Sequence, residues 1–157
     1  TQGIELGSRI ILAKDWDLDL SLTYTDAQYY DEREDWKGTD YYDESKYISR
    51  VPQYTGGVKL EYNPGNWVWV LDCNLTGSMY IDYFKDEEEP TKIKHTDPFV
   101  VVNTKLSRKF PKLGVTAFLG AKNLFNYVQP EKHLDDAAFM YAPFYGRIVY
   151  GGIEVEF

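Results

Sequence analysis

The sequence predicts an all-β chain, an antiparallel transmembrane β-barrel segment of about seven strands. Three observations carry this reading. The first is a period-two alternation of apolar and polar residues along most of the chain, the mark of strands whose successive side chains point to opposite faces. The second is the stretch WVWVLDCNLTGSMYIDY at 67–83, where every odd position is apolar or small for 17 residues. At about 3.3 Å per residue it reaches roughly 56 Å, whereas about 9–11 tilted residues suffice to cross hydrocarbon. The third is a strict succession of short turns and long loops. It puts tight connections at one end of the sheet and long excursions at the other, as in outer-membrane barrels.

Alternation starts at once. Over 1–12, Ile4, Leu6, Ser8, Ile10 and Leu12 oppose Glu5, Gly7, Arg9 and Ile11. A connection at 13–15 leads to 16–24, where Trp16, Leu18, Leu20, Leu22 and Tyr24 oppose Asp17, Asp19, Ser21 and Thr23. Residues 26–50 lose the pattern and read as a long polar loop. The third strand, 51–62, is turned by NPGN at 63–66, in which proline presets φ and glycine accepts a positive one. The fourth, 67–83, is expected to be continuous, its odd side the wall with Leu75 at mid-membrane, its even side, Asp72 to Asp82, wet, and its end near Tyr83 clear of lipid. A polar loop at 85–97, a strand at 99–110, the turn PKLG at 111–114, a strand at 115–125, a loop at 126–143 and a strand at 145–157 complete the chain.

Composition agrees with a membrane wall. Aromatic residues make up 17% of the 157 residues, including 14 Tyr and 4 Trp, while mean hydropathy is −0.48. A barrel with a polar lumen and aromatic girdles accounts for both. Trp16, Tyr62, Trp67, Phe110 and Phe157 fall at the short-turn end, and Tyr24, Tyr54, Tyr83 and Tyr145 at the long-loop end. The net charge of −8 argues against a nucleic-acid partner. The single cysteine, Cys73, excludes an internal disulfide and reads as a small hydrophobe on the apolar face. No apolar run approaches the length of a membrane-spanning helix.

A soluble antiparallel sandwich also alternates, but its long loops would be expected at both ends. In a bilayer, an open sheet edge would leave backbone groups unpaired in hydrocarbon. Seven strands also depart from the even count of finished bacterial barrels. The expectation is therefore a barrel segment completed by strands outside this chain, with no leader of its own.

Four stretches carry a family resemblance: GIEL at 3–6, RVPQYTGGVKLEY at 50–62, GAKNLFNY at 120–127, and a last strand ending on Phe157. Together they resemble the C-terminal part of the barrel of TonB-dependent outer-membrane receptors, and DDAAFMYAPFYGR at 135–147 is similar to the family's last-loop region. The resemblance implies a plugged, roughly 22-stranded barrel of which these are the last strands, with loops 26–50, 85–97 and 126–143 outside the cell. It implies uptake of a scarce nutrient driven by TonB, an iron-siderophore or haem complex first and cobalamin next. It also implies a plug domain and TonB box upstream, recognition of Phe157 by the barrel-assembly machinery, and lipid or lipopolysaccharide around the wall. A passive porin or surface-binding barrel is the alternative.

No catalytic, metal or cofactor constellation appears; the paired acids Asp17/Asp19 and Glu154/Glu156 have the spacing that lumen-facing alternation alone produces. The candidate ligand contacts are Trp36, Tyr41 and Tyr42, aromatics in an acidic loop suited to stacking on a flat ligand. Tyr80 and Tyr150 join them from the lumen side, and His95 and His133 from separate outer loops. The acidic run 86–89 reads as solvent-facing, with Ca²⁺ or an accessory surface lipoprotein as its other possible occupants.

Overall fold

The computed structural model describes residues 1–83, 92–130 and 141–156. Its main element is a seven-stranded antiparallel sheet in the order β1-β2-β3-β4-β7-β8-β9. The strands are β1 (Gln2–Ala13), β2 (Trp16–Asp26), β3 (Tyr54–Tyr62), β4 (Trp67–Thr76), β7 (Phe99–Phe110), β8 (Val115–Lys122) and β9 (Ile148–Val155). A two-stranded hairpin, β5 (Tyr80–Tyr83) with β6 (Lys92–His95), stands between β4 and β7 in the chain but outside the large sheet. That sheet does not close on itself, and β1 and β9 are its free edges.

Register sorts the side chains into two continuous faces. One row runs Leu6, Leu22, Gly56, Leu75, Val100 across five strands, and another runs Trp69, Leu106, Leu119, Gly151. This apolar face lies open, with Leu6 at 61% and Leu119 at 61% of full exposure, as a wall that meets lipid must. The opposite face carries the row Arg9, Asp19, Lys59, Asp72, Asn103, charges of alternating sign on adjacent strands. A slip of one residue would exchange the two rows, so the pairing is strongly specified. The Thr104 hydroxyl points to the apolar side in mid-strand; it donates to the Val70 carbonyl at 3.0 Å and accepts from Trp69 Nε1 at 2.9 Å.

The short turns follow their sequences. In NPGN, Gly65 takes φ +68°. In PKLG, residues Pro111–Leu113 form one 3₁₀ turn and Gly114 closes it at φ +61°, where a side chain would press on the Glu156 carbonyl. At this end Trp16 stacks on Tyr62 at 4.2 Å, and the Arg108 guanidinium lies 4.8 Å from both Trp67 and Phe110. At the other end Tyr24 pairs with Tyr54. Phe157 lies outside the described residues.

The fourth predicted strand is corrected. It is two strands, β4 ending at Thr76 and β5 beginning at Tyr80. The neighbours decide this: β3 begins at Tyr54 and β7 at Phe99, so both regular ladders of β4 stop at Thr76 and isolated backbone hydrogen bonds take their place beyond it. Buried Gly77 gives its N–H to the Tyr54 carbonyl at 2.8 Å, and a side chain there would strike that carbonyl. Apolar alternation persists past the break for another reason. Met79 and Ile81, expected on the outward odd face, are 3% and 0% exposed in a cluster with Phe99. The expected loop at 85–97 accordingly contains β6. The last two strands are shorter than expected, β8 ending at Lys122 and β9 starting at Ile148.

Because β4 stops at Thr76, its lipid-facing midpoint is Leu71 and not Leu75. We expect Leu71→Arg to destabilise the barrel by about 2–4 kcal/mol and Leu75→Arg, nearer the rim, by less. Unfolding of both variants of the full receptor in lipid measures the order, and equal costs would contradict the assigned depth.

Candidate functional site

Above the wall, the long-loop end is built around the β5–β6 hairpin, which presents two faces. Register puts Tyr80 opposite His95 and Asp82 opposite Ile93, with Ile81 and Lys94 between them on the other side. The first long loop, 27–53, covers one face and the last loop the other.

On the first face, Arg33 forms two hydrogen bonds of 2.8 Å to the carboxylate of Asp82 across 49 residues, and Ser49 Oγ adds a third at 2.8 Å. The backbone joins in: Arg50 N–H donates to the Tyr80 carbonyl at 2.8 Å and Gln53 N–H to that of Ser78 at 3.2 Å. The Tyr47 ring stacks on Tyr80 at 4.4 Å with the planes 8° apart, and His95 lies 5.0 Å from Tyr80 on the hairpin. Lys46 Nζ stands 5.7 Å from the Tyr47 ring. A polar recess of about 170 Å³ opens beside this stack, lined by Asp26, Gln28, Tyr47, Gln53 and Tyr80 among others. On the second face, Met79, Ile81 and Phe99 pack with Tyr127, Tyr141 and Ala142, and Phe99 stacks on Tyr127 at 5.0 Å.

Both covering loops are tied internally. In the first, Trp36 is 4% exposed, with the Arg33 guanidinium 5.3 Å from its ring and Tyr41 edge-on at 6.2 Å. Buried Ser45 donates to the Tyr42 carbonyl at 2.6 Å and accepts from the Arg33 N–H at 2.9 Å. In the last, Asn123 takes φ +51°; its side-chain oxygen accepts from the Tyr127 N–H at 2.9 Å, and its own N–H donates to Asn103 Oδ1 at 3.0 Å. The NLF stretch is therefore a turn held by its asparagine. Buried Gln129 accepts from the N–H groups of Tyr141 and Ala142.

The structure thus brings Tyr80 and His95 together and adds Tyr47, which sequence reading passed over as one tyrosine among many in a polar loop. Trp36 and Tyr41 pack on each other inside the first loop. Tyr42 is half-buried there, and its carbonyl serves that loop's own fold. Tyr150 lies far from this group, on the polar face of β9. His133 and the acidic run 86–89 lie outside the described residues. Arg33 and Asp82 were also missed; a contact spanning 49 residues leaves no local signature. Among the described residues, no group of three or more His, Cys, Asp or Glu is placed to hold a metal ion.

Electrostatics follow the ion pair. Burial acts to raise the Asp82 pKa, but the hydrogen bonds from Arg33 and Ser49 outweigh it and hold the carboxyl below its ordinary value. The Arg33 guanidinium is correspondingly raised by its bond to Asp82. Burial pushes the Tyr80 hydroxyl upward. A carboxylate lowered on folding contributes stability that is complete above its unfolded pKa, about 3.9, and lost as pH falls through the folded value. We expect the protection of amides across residues 29–49 of the full receptor, each rate taken relative to its intrinsic rate at that pH, to fall below about pH 4. Asp82→Asn should show the lowered protection already at neutral pH, with its change across that pH range gone. Unchanged exchange in the variant would contradict the role of the pair.

Comparison with known proteins supplies a family. A family model described as TonB dependent receptor-like, beta-barrel, matches residues 1–124. A search of curated proteins finds no match. Among solved structures, a mutant of the ferric enterobactin receptor of Pseudomonas aeruginosa is similar with a TM-score of 0.66 and 17% identity, over 96% of this chain and 21% of that one. Another mutant of that receptor, in complex with enterobactin, gives 0.68 and 17% over 96% and 22%. The chain spans about a fifth of the length of these structures.

Proposed function

From the premise that the chain belongs to the family of TonB-dependent receptor β-barrels, we propose that it forms the wall and part of the outer lid of an active transporter for an iron-siderophore complex. The coarser statement stands on the family itself: these are outer-membrane β-barrel receptors for nutrient uptake, and this chain belongs to their barrel family. The rest of the proposal names the cargo, the energy source and the residues that meet the cargo.

The observation that carries it is the Tyr47–Tyr80–His95 group at the long-loop end, with Lys46 beside it. Stacked rings give a flat, low-entropy surface, and a neighbouring cation favours an anionic partner. A ferric siderophore offers flat donor groups and negative charge. The similar structures support the same reading, since one of them is described in complex with enterobactin. In the proposed cycle the loops capture the complex from outside, and TonB passes inner-membrane energy to a plug in the remainder of the receptor. The cargo then moves along the polar face of the wall. This chain supplies positioning and no covalent chemistry.

The test uses the full-length receptor in cells stripped of other iron-siderophore receptors. Uptake of labelled ferric siderophore is expected to require TonB. Loss of the Tyr80 ring in Tyr80→Ala, worth about 1 kcal/mol of stacking, should weaken surface capture about fivefold. Uptake that persists without TonB would establish a passive pore instead. Haem-dependent growth that vanishes in His95→Ala, with siderophore uptake absent, would move the cargo to haem.

A further inference from the structure

On the polar face, the cations of the wall are mostly matched within the wall. Arg9 lies 3.5 Å from Asp17 and 3.7 Å from Asp19, Lys59 lies 3.7 Å from Glu61, and Lys109 lies 3.3 Å from Glu156. Lys105 and Lys122 differ: among the described residues no carboxylate is paired with either, and of the two Lys105 lies against a ring. Asp72 on the adjacent strand is turned to Asn74 and Asn103, and Glu154 sits two rows lower, opposite Thr116.

What surrounds Lys105 is aromatic and shaped by glycine. Lys105, Gly120 and Tyr150 form one row across β7, β8 and β9. Gly120 has no side chain, and the Tyr150 ring lies across it so closely that a Cβ there would come within 2.6 Å of the phenolic oxygen. In the next row Phe118 lies across Gly152 in the same way. The Lys105 ammonium rests 4.7 Å from the Phe118 ring centre. Adjacent strands are about 5 Å apart, so the ammonium and the Tyr150 hydroxyl, brought over Gly120, stand within reach of one oxyanion. Lys105 thus stands beside two rings 6.4 Å apart, Phe118 and Tyr150, and the ammonium and the phenol make a notch with two donors.

We infer that this notch is a lumen subsite for an anionic oxygen of the cargo, a carboxylate or catecholate group of an iron chelate, met after release from the loop roof. The inference rests on the proposed uptake function and adds to it a position along the path and a preference in charge. Lys105 supplies the charge, Tyr150 a neutral donor, and Gly120 the space that lets Tyr150 lie flat.

Two labelled probes test it in cells carrying the full-length receptor: a negatively charged ferric tricatecholate and an uncharged ferric trihydroxamate. Surface capture is measured in de-energised cells and passage in energised ones. Lys105→Gln is expected to leave capture of the tricatecholate unchanged and slow its passage about tenfold, the scale of one charge-assisted hydrogen bond. Tyr150→Phe should slow it less, Lys105→Arg should restore it, and passage of the trihydroxamate should stay at the parent rate in all three. Undiminished tricatecholate passage in Lys105→Gln overturns the subsite while leaving the uptake function standing. Equal slowing of both probes overturns it too, showing that Lys105 serves the structure of the lumen, such as an acidic residue of a domain packed there. A parent receptor that captures neither probe refutes the siderophore reading and the subsite together.

Discussion

Within hydrocarbon, every backbone N–H and C=O of this chain must find its partner on a neighbouring strand. That constraint explains more of the structure than any side-chain contact. It fixes an antiparallel sheet of long strands and makes register non-negotiable. It also decides where the wall ends, because a strand can continue only while something lies beside it. β4 shows the rule at work: its alternating sequence runs on to Tyr83, yet it leaves the sheet at Thr76 where β3 and β7 run out. The two free edges, β1 and β9, leave the same requirement open at either side.

Past the rim, the chain meets water and the requirement changes. Backbone groups there are paired locally, through turns such as the one at Asn123, and the loops are held to one another by side chains. The β5–β6 hairpin is the common support. One of its faces carries an ion pair, a hydroxyl and a stacked ring from the first loop; the other carries an apolar cluster shared with the last loop. Arg33, with Trp36 beside its guanidinium, ties the first loop to the hairpin that carries Tyr80 and His95.

The two faces of the wall divide the physical work. Outward, small and large apolar side chains make a surface that lipid can cover, and the Thr104 hydroxyl is tolerated because both its bonds close inside the sheet. Inward, charges of opposite sign stand near one another, Arg9 with Asp17 and Asp19 on the next strand and Lys59 with Glu61 on its own, so that the lumen can be polar without carrying a large uncompensated field. Departures from that balance, as at Lys105, are where a passing or resident group has something to gain.

What the amino-acid order determined by itself was everything with a short period. Alternation set the strands and their facing, proline and glycine set the turns at 63–66 and 111–114, and the succession of short and long connections set which end is which. The short-turn rim of Trp16, Tyr62, Trp67 and Phe110 was legible for the same reason. The tertiary structure alone decided where the fourth strand breaks, since that depends on the lengths of neighbours far along the chain. It alone placed Met79 and Ile81, whose apolar pattern reads identically for lipid and for a buried cluster. It alone joined Arg33 to Asp82 and Tyr47 to Tyr80, because contacts across a sheet top obey no sequence interval. Pattern encodes which side of a strand a residue faces; only the folded chain determines what is waiting there.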